Sequence, residues 1–232
     1  MDHRVIGTTL PAVEILLQPG ESIIADSGEL SWMSDGITLQ TSTQGAGGGG
    51  LFGMVKRAVG GGTLFLTKYT ASNAPGMVTI ATKMPGAILP VEVAPGRGYM
   101  VHRHGFLCAT MGIEVTAGFQ RKLGAGIFGG AGLILQKLAG TAHAWVGLSG
   151  EVVTYDLQPG QTLKVHPGHV GMFEERVSFD VIMMKGISNA IFGGDGLFLA
   201  TLTGPGRVWL QTLPLPNLAH ALIPYLPTGG NG

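Results

Sequence analysis

Charge is what this chain has least of. Only 12% of its 232 residues are Asp, Glu, Lys or Arg, against roughly 25% in an ordinary globular domain. Fourteen acidic and fourteen basic residues cancel to a formal net charge of zero. A nucleic-acid binder draws most of its affinity from a basic excess that neutralises phosphates, so this balance argues against nucleic acid as a partner. A monomer also needs more charge than this to coat its surface. With 45% hydrophobic residues and a mean hydropathy of +0.34, part of that surface is expected to be buried against sister chains.

Cysteine is nearly absent too. The single Cys108 excludes an internal disulfide, and its neighbours Leu107 and Ala109 mark it as a buried core thiol in a reducing compartment. No apolar run approaches the roughly 18 residues of a membrane span. The start Met1-Asp2-His3-Arg4-Val5 lacks the charged, apolar, small-residue succession of a secretory leader. The expected location is the cytoplasm.

Glycine and proline are abundant, at 40 and 13 residues. No triplet period suggests collagen, and dense apolar residues exclude disorder. A β-rich fold with many tight turns remains. An apolar strand ending in Pro-Gly occurs three times, at Pro19-Gly20, Pro95-Gly96 and Pro159-Gly160, each followed by a further glycine at Gly28, Gly105 and Gly168. A second motif recurs in step. Leu51-Phe52-Gly53, Ile127-Phe128-Gly129 and Ile191-Phe192-Gly193 each precede a strand that opens near Gly62, Gly140 and Gly204. Two motifs repeating three times in one order define an internal repeat. The expected units are residues 1–75, 76–147 and 148–213, followed by an extension over 214–232 in which Asn217 caps a short helix through Ile223. Units this short bury too little core alone, so they are expected to pack side by side.

On these residues the chain resembles the altered-inheritance-of-mitochondria protein 24 family and its bacterial relatives. The resemblance is carried by Leu51-Phe52-Gly53-Met54-Val55-Lys56-Arg57 leading into Gly61-Gly62-Thr63-Leu64-Phe65, and above all by Val208-Trp209-Leu210-Gln211-Thr212-Leu213-Pro214. It implies an all-β fold of the tryptophan RNA-binding attenuation protein-like superfamily: three tandem short double-stranded β-helix units packed side by side, with homotrimers forming a pseudo-nine-fold ring. It implies no catalytic residues.

Each local candidate has a plainer reading. His102 and His104 alternate on a strand, as the first metal motif of cupins does, but no carboxylate follows within Gly105–Ala109; a solvated or interface histidine pair is the plainer account. His166-Pro167-Gly168-His169 carries a central proline and reads as a bend. Gly124-Ala125-Gly126-Ile127-Phe128-Gly129 matches a dinucleotide-binding pattern without the strand and helix that give it meaning. No serine has a nucleophile-elbow context. Phe52, Phe128 and Phe192 plug unit interfaces or, in amphipathic loops such as the first, meet a membrane surface or protein partner. Trp145 and Trp209 are expected at strand ends, contributing buried area. The sequence thus points to a non-catalytic, ring-forming homo-oligomer without a cofactor. Its alternatives are a ligand- or RNA-binding module using clefts between units, or a cupin-like metalloenzyme.

Overall fold

The computed structural model describes residues 1–26, 28–41, 58–59, 62–63, 66–121, 133–184 and 197–226. An N-terminal strand, β1 (Asp2–Ile6), precedes three sets of strands. The first set comprises β2 (Ala12–Leu17), β3 (Ser22–Asp26), β4 (Leu30–Met33), β5 (Ile37–Thr41), β8 (Leu66–Ala71) and β9 (Gly76–Ala81), with a small β6–β7 hairpin (Ala58–Val59, Gly62–Thr63) between β5 and β8. The second comprises β10 (Gly86–Val93), β11 (Tyr99–His102), β12 (Phe106–Thr110), β13 (Ile113–Arg121), β14 (Leu133–Gly140) and β15 (Ala142–Ser149). The third comprises β16 (Val152–Leu157), β17 (Thr162–Val165), β18 (Val170–Glu174), β19 (Ser178–Met184), β20 (Leu197–Thr203) and β21 (Gly206–Gln211). A short helix, α1 (Leu215–Leu222), follows. The fold is all-β with a short C-terminal helix.

Pairing is the same in every set. The first and third strands flank the sixth, and the second and fourth flank the fifth, all antiparallel. Each set therefore folds as two three-stranded sheets, the strand order of a short double-stranded β-helix. Their facing side chains make one core per set: Ile15, Ile23, Tyr69 and Ile80 in the first, Tyr99, Leu138 and Val146 in the second, Phe173, Val181, Leu202 and Val208 in the third.

The Pro-Gly motifs make the turn between the first two strands of each set. Gly20, Gly96 and Gly160 sit at φ +84°, +77° and +76°. The backbone N–H of the next residue closes each turn onto the carbonyl before the proline: Glu21 to Gln18 at 2.9 Å, Arg97 to Ala94 at 2.8 Å, Gln161 to Gln158 at 3.0 Å. Proline at the first corner and a left-handed glycine at the second is a type II turn.

Three expectations change. β9 pairs with β2 and β4, which puts Gly76–Ala81 in the first set and moves the first boundary from 75/76 into the linker after Ala81. Strands belong to the partners they bond, and counting from turn motifs does not reveal partners. Trp145 and Trp209 lie inside β15 and β21 rather than at strand ends; Trp145 is only 2% exposed, because the sixth strand is the central one of its sheet. Asn217 is not the helix cap. Pro214 holds that position, and its carbonyl accepts from the N–H groups of Asn217 (3.0 Å) and Leu218 (3.2 Å); the ring of Pro216 preorganises the first turn.

Candidate functional site

Adjacent sets are joined by one recurring seam. The second strand of one set pairs with the third strand of the next: β3 with β12, and β11 with β18. These bonds fuse half of each set into the neighbouring one and build two six-stranded sheets, β10-β15-β12-β3-β8-β5 and β13-β14-β11-β18-β21-β16. The registers coincide. Across the first seam Cys108 faces Ala25, Ala109 faces Ile24 and Thr110 faces Ile23. Across the second, Met172 faces Val101, Phe173 faces Met100 and Glu174 faces Tyr99.

The third strand of every set also carries a β-bulge at one place, between Leu30 and Trp32, Phe106 and Cys108, Val170 and Met172. Aligned on that bulge, Trp32, Cys108 and Met172 are equivalent, as are Met33, Ala109 and Phe173. A bulge bends a strand and re-aims its side chains, so its recurrence gives all three strands one shape.

Among the described residues, two strands lack a seam partner. β4 ends the sheet β1-β2-β9-β4, and β17 ends the sheet β17-β20-β19. Their counterparts inside the chain are buried on both faces: Cys108, Ala109 and Met172 are at 0% exposure, while Trp32 on β4 is 46% exposed and Met33 37%. Thr162 and Lys164 on β17 are exposed likewise, where the equivalent Ile24 of β3 is buried. The molecule thus presents one half of a seam at each end.

A cavity of about 470 Å³ opens where the three sets meet beneath α1. Leu107, Leu133, Ile134, Leu148 and Val170 supply its apolar wall. At one end stand Glu29, Lys83, Arg103 and His104, with Lys83 Nζ donating to Glu29 Oε1 at 2.5 Å. At the other, Gln211 bonds through both ends of its amide: its Oε1 accepts from Ser149 N at 3.1 Å and its Nε2 donates to Gly168 O at 3.1 Å.

The predicted histidine pair lies here, and the two rings do different things. His102 Nε2 lies 3.1 Å from Gly147 O. A carbonyl only accepts, so that nitrogen carries the hydrogen. Burial is the main reason its pKa falls to about 4, which keeps the ring neutral. His104 is shifted down as well, first by burial and then by the Arg103 and Lys83 cations. No group of three or more potential metal ligands clusters among the described residues, so no third donor joins the pair. His166 precedes and His169 ends a 3-10 turn at Pro167–His169, the bend their proline favours; His169 Nδ1 bonds Gln211 O at 2.8 Å.

Trp145 meets His3 edge-on at 5.1 Å between ring centres, and Trp209 meets Tyr99 at 6.0 Å. Cys108 is buried and its thiol pKa is pushed well up by that burial. Phe52, Phe128, Phe192 and the 124–129 glycine pattern lie outside the described residues. Sequence reasoning missed Trp32 and Lys83. Trp32 was discoverable, since it follows Gly28 at nearly the spacing by which Cys108 follows Gly105.

A family model for mitochondrial biogenesis AIM24 matches residues 3–213. The chain belongs to the AIM24 family. An uncharacterized protein of Streptococcus pyogenes serotype M6 is 28% identical over 225 residues, covering 95% of this chain and 89% of that protein. The crystal structure of a protein from Streptococcus pyogenes is similar with a TM-score of 0.75 over 97% of this chain and 99% of its own, at 24% identity. That likeness concerns the fold. Among the described residues of this AIM24-family chain, no helix is long and apolar enough to cross a membrane.

Proposed function

We propose that this protein is a non-catalytic, cytoplasmic scaffold whose copies join head to tail into a closed ring of three chains. One observation supports the reading: β4 and β17 are the two halves of a seam already made twice within the chain, and the outer edge of each is open among the described residues. An open strand edge is a template for another strand. Following the internal register, Trp32 of one copy faces Val165 of the next, Met33 faces Lys164, and Ser34 faces Leu163. Trp32 then enters the environment in which Cys108 and Met172 are fully buried. Lys164 makes this edge selective, because an edge lysine discourages indiscriminate strand pairing, while its stem can lie along Met33 with the amine in water. The low surface charge of the free chain has the same explanation.

The test has two parts. Light scattering on the purified protein should give three times the 24.0 kDa chain mass; a monomer at micromolar concentration overturns the reading. Residues directly opposed in an antiparallel pair have Cα atoms roughly 4.5–5.5 Å apart, inside the range a disulfide spans. A chain carrying Met33→Cys and Lys164→Cys should therefore oxidise to cross-linked oligomers. A control with Ser34→Cys and Lys164→Cys, whose side chains point to opposite faces, should not. An oligomer in which neither pair links would mean assembly through another surface.

A ligand-binding module using clefts between units is the second reading. The cavity at the junction of the three sets favours it.

A further inference from the structure

We propose that the cavity beneath α1 binds a small amphipathic carboxylate, with its anionic end at Arg103 and its apolar chain against Leu107, Leu148 and Val170. All these groups come from one chain, so the inference stands apart from self-assembly.

The volume of about 470 Å³ suits a ligand of some ten heavy atoms or more, within the ~300–1,000 Å³ usual for small-molecule sites. Its wall is dominated by aliphatic side chains, and most polar groups in it are already spoken for. Gln211 is held between Ser149 N and Gly168 O. His102 spends its N–H on Gly147 O. Lys83 is paired with Glu29. Arg103 is different: its backbone N–H bonds Ile134 O at 3.1 Å, but its guanidinium has no ion-pair or hydrogen-bond partner among the described residues.

Charge decides the sign of the ligand. Glu29 cancels one of the two cations Lys83 and Arg103, leaving one positive charge at this end. The neutral ring of His102 adds none. A guanidinium presents a planar fork of donors that matches a carboxylate at two points. An anion meeting it at the edge of a low-dielectric pocket gains more than it would in open water. A cation would meet the uncompensated charge of Arg103, and a short acid would leave the aliphatic wall wet. An anionic head with an apolar tail satisfies both ends.

The experiment is calorimetric titration of the full chain with octanoate, with octylamine and acetate as comparison ligands. Saturable octanoate binding at one site per chain is expected, with octylamine and acetate at least tenfold weaker. Arg103 is exposed, so its substitution should leave the fold intact, which circular dichroism verifies. Arg103→Gln should weaken octanoate at least tenfold, and Arg103→Lys should recover part of that loss because it keeps the charge but not the fork. No saturable octanoate binding, octylamine binding as tightly as octanoate, or an Arg103→Gln protein that binds octanoate like the parent would each overturn the proposal.

Discussion

Trp32 and Met172 occupy the same point of the same bulged strand in the first and third sets, yet Trp32 is 46% exposed and Met172 is at 0%. The difference has one structural source: β18 has β11 on its outer edge, and β4 has no strand there among the described residues. A tryptophan covered at the centre of an interface typically contributes 2 kcal/mol or more.

Replacing Trp32 with lysine should therefore weaken each contact between copies by about 2 kcal/mol or more, roughly thirtyfold in association. Within the isolated chain the same change removes little packing, because the side chain is already half in water. Sedimentation velocity should show monomers at concentrations where the parent is assembled. The melting behaviour of that monomer should stay cooperative. An unchanged sedimentation coefficient would place the contact elsewhere.

Two glycines separate backbone strain from crowding. Gly160 has φ +76°, and a Cβ built on it would meet nothing within 4 Å. Gly160→Ala should then cost only the left-handed penalty of a side chain, about 1–2 kcal/mol. Gly112, at φ +99°, would place its Cβ 2.5 Å from the backbone oxygen of Thr141, so Gly112→Ala adds a clash with an atom that cannot rotate away. Urea denaturation should rank Gly112→Ala clearly below Gly160→Ala, with both below the parent.

Turn chemistry is why so much of this architecture could be read in advance. Pro19-Gly20, Pro95-Gly96 and Pro159-Gly160 specify their own dihedral angles, and a local constraint repeated three times announces a repeat without any knowledge of contacts. The seams were not legible, because the pairing of β3 with β12 depends on strands more than 80 residues apart (Ala25 and Cys108), and nothing local marks which edge is joined. The same holds for β9, whose partners rather than its neighbours assign it. Of the cavity, only the His102-Arg103-His104 step was visible. The sequence singled out the two imidazoles, as a solvated or interface pair before a pair of metal ligands, whereas Gly147 O ties up His102 Nε2 and the guanidinium between the two histidines is the group left without a partner among the described residues. The cap at Asn217 failed for a related reason: Pro214 and Pro216 start the helix through backbone geometry, without a side-chain acceptor.

His102 makes stability depend on pH in a defined window. Its pKa falls from an ordinary 6.5 to about 4 in the folded chain, chiefly through burial. Above 6.5 the ring is neutral in both states and has no effect. Between 6.5 and 4 the unfolded chain binds a proton that the folded one refuses, so stability falls as pH falls. The loss approaches about 3 kcal/mol near pH 4 and then levels off. His104 and His166 are shifted in the same direction, so the parent alone does not isolate the effect. His102→Gln does, since its amide can still donate to Gly147 O but does not titrate. The stability difference between parent and His102→Gln should change by up to that amount between pH 7 and pH 4.5. A difference independent of pH would show that His102 is not held neutral.

Cys108 reports on whether the first seam opens. It lies opposite Ala25 across the β3–β12 junction, with no exposed surface, and its thiol is held protonated by burial. Only the thiolate attacks a disulfide reagent, expelling its aromatic thiolate, so reaction requires the sulfur to reach water. Because β12 is bonded to β15 on one side and β3 on the other, fraying of a loop does not expose it. Either the seam separates or the whole cluster that holds Cys108 unfolds. The native protein should therefore leave Cys108 unreacted over hours with an aromatic disulfide reagent and release one thiol per chain in urea. The denaturant dependence of the slow native reaction distinguishes the two routes: a steep slope matching global unfolding means the sets unfold as one body, and a shallow slope means the seam opens by itself. Cys108 and Ala25 belong to one buried cluster that runs across the joint, so the steep slope is expected. Fast labelling in buffer would mean that the seam within the chain is weaker than its burial indicates, and the proposed head-to-tail contact on the same register would be weaker still.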